Sequence, residues 1–440
     1  MEIRKSRKDD KIGFWSATSL VVGNMIGSGI FLLPATLAMY GGISLLGWLF
    51  TTIGVIFLAL AFSRLSRIIK SPGGPYTYSK EGFGSFVGFL VAWGYWVSIW
   101  CGNAAIAVAG TGYLSALIPG LKNNKPASAI ISIAVIWLFT FINTRKIKSI
   151  AFVQVVTTVL KVIPILIFGT IGFLYFNIDH FEPFNLSGLS TIKAITATAA
   201  LTLWAFLGLE SATIPSDKMD KPERLIPRAT IAGTLFAAII FIASTSAVMG
   251  IIEPSKLELS SAPFADAAKL IWGDWASYLM AASAVIACFG ALNGWILLQG
   301  QIPRAAAKDK LFPKIFSSLS ANGTPIAGLI ISSILATLLV SINFTRGLIS
   351  MFEFILMLAI LTVLLPYVFT SLSEAMLYLK KKRKHNTSQL TKSLLIGIPA
   401  FLYSLWAVVG LGIEIILWGS ALLASGIPVY LYMLKKYKKK

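Results

Sequence analysis

Two apolar stretches with internal glycines decide the fold. Residues 22–31 read VGNMIGSGIF, and residues 202–211 read TLWAFLGLES. Each lies inside a longer apolar run of the kind that forms a membrane helix. Each also has glycine where that helix would break, and backbone freed inside a hydrocarbon layer must find other partners. Breaks at matching positions of two spans therefore predict a binding site between them.

The rest of the chain has the composition of an integral membrane protein. Of its 440 residues, 56% are hydrophobic and 13% charged, and the mean hydropathy is +0.78. The net charge of +20 comes from basic residues between the apolar runs, which indicates membrane topology rather than nucleic-acid binding. Both cysteines, Cys101 and Cys288, lie in apolar runs, so we expect neither a disulfide framework nor a cysteine metal site.

The apolar runs predict an all-α polytopic protein, because a span needs about 20 apolar residues. The predicted spans are 14–39, 42–63, 86–118, 127–143, 150–176, 192–215, 227–252, 272–302, 324–343, 347–378, 393–411 and 413–434.

Basic residues mark one side of this predicted bundle. They concentrate in the N-terminal arm 1–13, in the loops after even-numbered spans and in the tail 435–440. Cytoplasmic loops carry such an excess. The sequence therefore predicts cytoplasmic termini, with the arm leading into span one rather than forming a signal peptide.

Spans one and six, which carry the breaks, cross the membrane in opposite directions because their positions in the chain differ by five, an odd number. This is the arrangement of two inverted five-helix repeats. It assigns 14–176 to the first repeat, 192–378 to the second and 393–434 to two further spans.

The chemistry of the breaks favours an α-amino acid as ligand. A half-helix that begins at 27–29 directs free N–H groups at the gap, which suits a carboxylate. Carbonyl groups at the ends of the preceding half-helices, near Met25 and Trp204, suit an ammonium group.

Four motifs give the chain a family resemblance. They are GNMIGSGIFLLP at 23–34, SPGG at 71–74, TLWAFLGLESA at 202–212 and KPER at 221–224. These motifs resemble those of the amino acid/polyamine/organocation (APC) superfamily of transporters, and among its members those of the bacterial basic amino acid/polyamine antiporters, such as the arginine/agmatine type. The resemblance covers nearly the whole chain. It implies a LeuT-like fold that works by alternating access, with two extra C-terminal helices that often form a homodimer contact.

The resemblance also implies a substrate site. Ser28 and Gly29 would bind the carboxylate. The carbonyl groups of Met25, Trp204 and Leu207 would bind the α-ammonium group. Asn103 would reach a cationic side chain, on which Trp295 would stack. The complete implied set is Asn24, Met25, Ser28, Gly29, Ser98, Ile99, Asn103, Trp204, Leu207, Trp295 and Ala359.

A gate layer is implied beside this site by Tyr95, Glu210 and Tyr367, and Trp204 would cover the substrate. Independently of the resemblance, Tyr95, Ile99, Asn103 and Ile106 are spaced three or four residues apart and so share one helix face. Glu210 lies next to the break in span six, and we expect its protonation to gate transport.

Several positions depart from the arginine-type pattern. Ile99, Ile106 and Ala359 make part of the pocket more apolar, and Ser98 replaces an alanine. Arginine remains the first expectation, while ornithine, lysine, a polyamine or a neutral amino acid stay open.

Lys161 is a further departure, because it lies near the middle of span five. A central lysine costs at least ~2.5–3.5 kcal/mol on insertion scales, so it should face the bundle and have a partner. Other members of the superfamily carry a lysine here that resembles a replacement for a sodium ion. Lys161 therefore acts either as a structural cation or in proton coupling, and both alternatives imply sodium-independent transport.

The sequence thus predicts a secondary active transporter in a bacterial cytoplasmic (inner) membrane, most simply an arginine/agmatine-type antiporter. The alternative is a proton-coupled, sodium-independent symporter or an exchanger of neutral or other cationic amino acids. The expected partners are a small-molecule substrate, the lipid bilayer and a second copy of the chain, with no nucleic acid, cofactor or metal.

Two other classes fit the sequence less well. An enzyme is disfavoured because His180 and His385 lie outside the spans and no paired metal motif exists. A channel would need rings of charged side chains, or carbonyl groups that form a filter, along a hydrated pore. The glycines at 27 and 29 could be mistaken for such a filter.

Overall fold

The structure, a computed structural model, describes residues 11–121, 124–145, 147–346, 349–380 and 387–438. Within these ranges the regular structure is helical, apart from one isolated parallel bridge between Ile12 and Met219. Most of the predicted N-terminal arm, the first two residues of predicted span ten and the end of the basic tail lie outside the described residues.

The helices are numbered in chain order. They are α1 (Phe14–Met25), α2 (Ser28–Ala38), α3 (Ser44–Ile68), α4 (Pro75–Phe83), α5 (Ser85–Leu117), α6 (Lys125–Asn143), α7 (Ile147–Ile171), α8 (Thr191–Phe206), α9 (Pro222–Ile251), α10 (Pro254–Leu257), α11 (Pro263–Trp272), α12 (Asp274–Lys308), α13 (Ile326–Arg346), α14 (Ile349–Leu379), α15 (Thr387–Gly410), α16 (Ile413–Ala424) and α17 (Ile427–Lys438). Short 3-10 helices cover Gly41–Ile43, Pro119–Leu121, Gly172–Tyr175, Ile178–Phe181, Ser211–Thr213, Ser216–Lys218 and Lys314–Ser317.

Eleven helical segments of the described chain are long and apolar enough to cross a membrane. A twelfth segment, α13, has a shorter apolar part at Ile326–Ile342. Each segment overlaps one predicted span, so the all-α polytopic fold is confirmed. The assignment of 14–176 and 192–378 to two inverted repeats stays a prediction.

Span boundaries differ from prediction where polar side chains find partners. The helix α3 continues to Ile68 instead of ending at 63, because Arg64 makes a two-pronged ion pair with Glu374 on α14, at 2.7 Å for each contact. Such pairing lets an arginine remain on a helix inside the bundle. At the start of span eight, Gly273 has a φ of +83° and separates α11 from α12.

Both predicted breaks are present and they abut. Span one consists of α1 and α2, separated at residues 26–27. In span six α8 ends at Phe206, and Gly208 follows with a φ of +110°, a conformation that glycine adopts readily. Asn24 Nδ2 donates to Ser211 Oγ at 2.8 Å and so joins the two breaks.

Candidate functional site

A cavity lies where the two breaks meet α5, α12 and α14. Its empty space is about 450 Å³, part of it open to solvent. The lining residues are Asn24, Met25, Gly27, Ser28, Gly29, Ser98, Ile99, Gly102, Ile106, Trp204, Leu207, Trp295 and Ala359. None of these side chains carries a charge. The cavity therefore presents backbone dipoles, serine hydroxyls, aromatic rings and aliphatic groups to a ligand.

The helix breaks supply the polar backbone of this cavity. No side chain caps the N-terminus of α2, which begins at Ser28. Its first N–H groups are the ones that an α-helix leaves without intrahelical partners, so this end can accept an anionic group. The Met25 carbonyl accepts from Gly27 N at 3.0 Å and the Trp204 carbonyl from Leu207 N at 3.3 Å. Because a carbonyl has two lone pairs, each retains capacity for an ammonium group.

Gly29 lets span one approach span six closely. A Cβ added at Gly29 would lie 2.5 Å from Cδ1 of Trp204, well inside van der Waals contact. Trp204 is only half-buried, and it lies over the start of α2. The glycine thus fixes the position of this indole ring beside the predicted carboxylate site.

Trp295 connects α12 to the break in span one. Its indole Nε1 donates to the carbonyl of Asn24 at 3.4 Å, and its ring lines the cavity. The Asn24 side chain itself is directed at Ser211 and Gln154, with a Gln154 Nε2 to Asn24 Oδ1 distance of 3.5 Å. Asn24 therefore holds the two breaks together with its side chain and meets Trp295 with its backbone.

Asn103 is the one residue of the implied substrate-binding set that does not line the cavity. Its side chain has no exposed surface, and its Nδ2 donates to Gln299 Oε1 at 2.7 Å. It lies on the same face of α5 as Ile99 and Ile106, which do line the cavity. Asn103 is thus next to the cavity wall, behind the surface that a ligand would first meet.

The residues of the implied gate layer lie together. Tyr95 donates its hydroxyl to one carboxylate oxygen of Glu210, and Tyr367 donates to the other at 2.6 Å. All three side chains have no exposed surface and stand apart from the cavity lining. Since both carboxylate oxygens accept a hydroxyl proton, Glu210 links α5 and α14 directly behind the break in span six.

Lys161 faces the bundle and contacts span one. Its Nζ donates to the Gly23 carbonyl at 2.6 Å and to the Ala287 carbonyl at 3.4 Å. The side chain has no exposed surface. The ammonium group thus joins α7 to α1 and α12 immediately before the break.

Apart from Ile106, which the sequence already placed in the pocket, three residues at or beside the cavity were not in the implied set. Gly27 and Gly102 line it, and Gln299 binds Asn103 from behind. Helical spacing contained a signal for two of them, because Gly102 is three residues from Ile99 and Gln299 is four residues from Trp295. No metal-binding cluster of His, Cys, Asp or Glu was found among the described residues.

Known proteins are similar to this chain in sequence or in fold. It is 36% identical over 366 residues to a cadaverine/lysine antiporter of Escherichia coli, with 82% of each chain covered. It is 32% identical over 440 residues to the putrescine transporter PotE of Haemophilus influenzae, with 99% of this chain and 100% of that one covered.

A solved structure has the same fold at low sequence identity. It is a Na⁺-coupled sialic acid symporter in a substrate-bound, outward-open state, with a TM-score of 0.56, 11% identity and coverage of 93% of this chain and 91% of that one. This likeness supports the LeuT-like fold. The family model described as amino acid permease matches residues 12–433. The chain therefore belongs to the amino acid permease family of the APC superfamily, a family of multi-pass membrane transporters.

Proposed function

We propose that this protein exchanges a dibasic amino acid for the amine that remains after loss of its carboxyl group. The observation that carries the proposal is the uncharged cavity, in which a free helix N-terminus and an indole ring lie in one space. The helix end fits a carboxylate, and the face of Trp295 fits a cation. An amine without the carboxylate would use the cation-binding part alone.

Among such pairs, lysine with cadaverine and ornithine with putrescine fit better than arginine with agmatine. A guanidinium group has five N–H donors, whereas an ammonium has three. Ile99, Ile106 and Ala359 offer no side-chain acceptors along the cavity wall. The similar proteins named for cadaverine, lysine and putrescine support the same order. The arginine/agmatine pair expected from the sequence is measured alongside these two pairs in the experiment below.

The decisive experiment is counterflow in sodium-free proteoliposomes. Vesicles loaded with cadaverine should take up labelled lysine, and empty vesicles should not. Cadaverine carries one more positive charge than lysine at neutral pH, so each exchange moves one net charge outward. An inside-positive potential should accelerate lysine uptake. Equal uptake by empty and loaded vesicles would contradict antiport, and failure of all three pairs would contradict the substrate class.

Lys161 favours a second candidate function, sodium-independent symport with a proton. Its buried ammonium contacts the Gly23 carbonyl beside the break, which puts a titratable group next to the site. Symport predicts uptake into empty vesicles under an inward proton gradient. Antiport predicts that such a gradient has no effect without an internal substrate.

The proposal includes cytoplasmic termini in the bacterial inner membrane. Single cysteines placed at residue 11 and at residue 435, in a variant lacking Cys101 and Cys288, should react with a membrane-impermeant reagent only after the cells are opened. A homodimer through the C-terminal spans 393–434 stays a prediction.

A further inference from the structure

A directional chain of hydrogen bonds runs behind the cavity and ends at Asn103. It starts on α6, where Thr140 donates its hydroxyl to the Ile136 carbonyl at 2.7 Å. Since Thr140 has one hydroxyl proton, its oxygen accepts in its 2.6 Å contact with Ser333 on α13. The hydroxyl proton of Ser333 is thereby committed to Thr140.

The next member of the chain is Gln299 on α12. Its Nε2 donates to Ser333 Oγ at 2.9 Å and to the Leu329 carbonyl at 3.2 Å. A carbonyl oxygen only accepts hydrogen bonds, so the group next to Leu329 must be the amide nitrogen. Both N–H groups of Gln299 are used on α13, and Oε1 is left to accept from the other side.

The orientation of Asn103 follows from that of Gln299. Because Gln299 presents an acceptor, Asn103 must donate through Nδ2, at 2.7 Å. The Oδ1 atom of Asn103 is then the free end of the amide, and it is buried without a hydrogen-bond partner in the described structure. A buried acceptor without a donor is unfavourable, and a ligand that supplies a donor removes this cost. Asn103 shares its helix face with the cavity-lining residues Ile99 and Ile106.

We propose that Gln299 sets the cation preference of the cavity by fixing the Asn103 amide so that its unpaired oxygen is available to a cationic group that reaches past the cavity wall. With Oδ1 at its free end, the Asn103 amide can accept a hydrogen bond from an ammonium group. In the reversed orientation it would present N–H groups, which repel a cation. Gln299 is a positioning residue, since it contacts Asn103 and not the cavity. The inference rests on the proposed function, because it requires a cationic ligand.

The test compares lysine with norleucine, its near-isosteric neutral analogue, and cadaverine with pentylamine. Binding to the full-length protein is measured by quenching of tryptophan fluorescence and confirmed by calorimetry. Gln299→Met keeps the length of the side chain and removes both ends of the amide. The preference for lysine over norleucine should fall about tenfold or more, equivalent to about 1.4 kcal/mol. Norleucine affinity should change little.

A double-mutant cycle separates positioning from packing. If Gln299 acts through Asn103, Gln299→Met should have no further effect on the preference in an Asn103→Leu background. Thr111→Val is the matched control. It removes a different buried hydrogen bond of α5, the 2.8 Å contact of Thr111 with Ser132 on α6, and should leave the preference unchanged.

Each outcome bears on a different claim. A wild-type protein that prefers lysine, together with a Gln299→Met variant that keeps this preference, would overturn the role of Gln299 alone. Equal loss of preference in Thr111→Val would show a general packing effect and would also overturn it. A wild-type protein that binds norleucine as well as lysine would overturn the proposed function, and with it the basis of the inference.

Discussion

The cavity has two parts, one lined mainly by backbone groups and the other by side chains. Around Ser28 and Leu207 the wall exposes backbone atoms freed by helix breaks, whereas around Ile99 and Trp295 it consists of side chains on unbroken helices. Substitution alters side chains directly but reaches backbone groups only through geometry. We therefore expect the backbone part to recognise what all α-amino acids share, and the side-chain part to select among them.

The largest expected effect comes from Lys161→Ala, which acts on the backbone part. Loss of the ammonium leaves the Gly23 carbonyl without its 2.6 Å partner next to the break. We expect transport of every substrate to fall roughly 5- to 150-fold, from the ~1–3 kcal/mol cost of an unsatisfied buried group. Counterflow in proteoliposomes measures this loss.

Lys161→Arg provides the companion variant, because arginine keeps the charge and does not deprotonate in proteins. We expect it to retain part of the exchange, as a structural cation would. If it retains exchange but loses uptake driven by a pH gradient, Lys161 belongs to proton coupling. Sodium-stimulated uptake by the unmodified protein would contradict both roles.

The next largest effect should follow Gly29→Ala. The added Cβ would meet the Trp204 ring at 2.5 Å and displace it from the start of α2. Affinity should fall about tenfold for amino acids, cationic or neutral alike, which sharpens the distinction between the two parts. Gly102→Ala is the matched control, since Gly102 also lines the cavity and a Cβ there would meet nothing within 4 Å. Similar losses in both variants would contradict the argument from close approach.

Trp295→Leu tests the side-chain part. Loss of a cation–π contact worth ~0.5–2 kcal/mol should weaken lysine and cadaverine about 2- to 30-fold more than norleucine, as measured by competition binding. Trp295→Phe keeps an aromatic face but loses the N–H donated to the Asn24 carbonyl. It should therefore retain most of the cation preference. Equal weakening of neutral and cationic ligands by Trp295→Leu would assign Trp295 to packing.

The smallest effect is expected for Glu210→Gln, which removes the ionisable group and keeps its size. Both tyrosine hydroxyls can still bond to the amide, so ligand affinity should stay within about twofold of the wild type. The pH dependence of uptake should flatten. Uptake measured from acidic to neutral pH, with Tyr367→Phe as a control that keeps the carboxylate, decides this. An unchanged pH profile would remove Glu210 from gating.

Sequence alone was sufficient for features with a strong local signal. Apolar runs located every span, and the glycines at 27, 29 and 208 located both breaks, because hydropathy and backbone freedom depend on few neighbours. The predicted end of span two, at residue 63, fell short of the end of α3. The sequence at Arg64 resembles a loop, and only the structure shows that Glu374 pairs with it. Gln299 was missed for the same reason: its partners lie on α5 and α13, far away in sequence.

The bridge at Ile12 has a consequence for how the protein is handled. Ile12 N donates to the Lys218 carbonyl at 2.8 Å, and Asp220 N donates to the Ile12 carbonyl at 3.2 Å. The chain just before span one is thereby fastened to the segment just after the break in span six. A bulky fusion partner at the N-terminus would be attached close to these two hydrogen bonds and could disrupt them. A fusion partner at the C-terminus would be attached at the other end of the chain. A pair of distance probes at residues 12 and 219 would in turn report whether these two segments separate during transport.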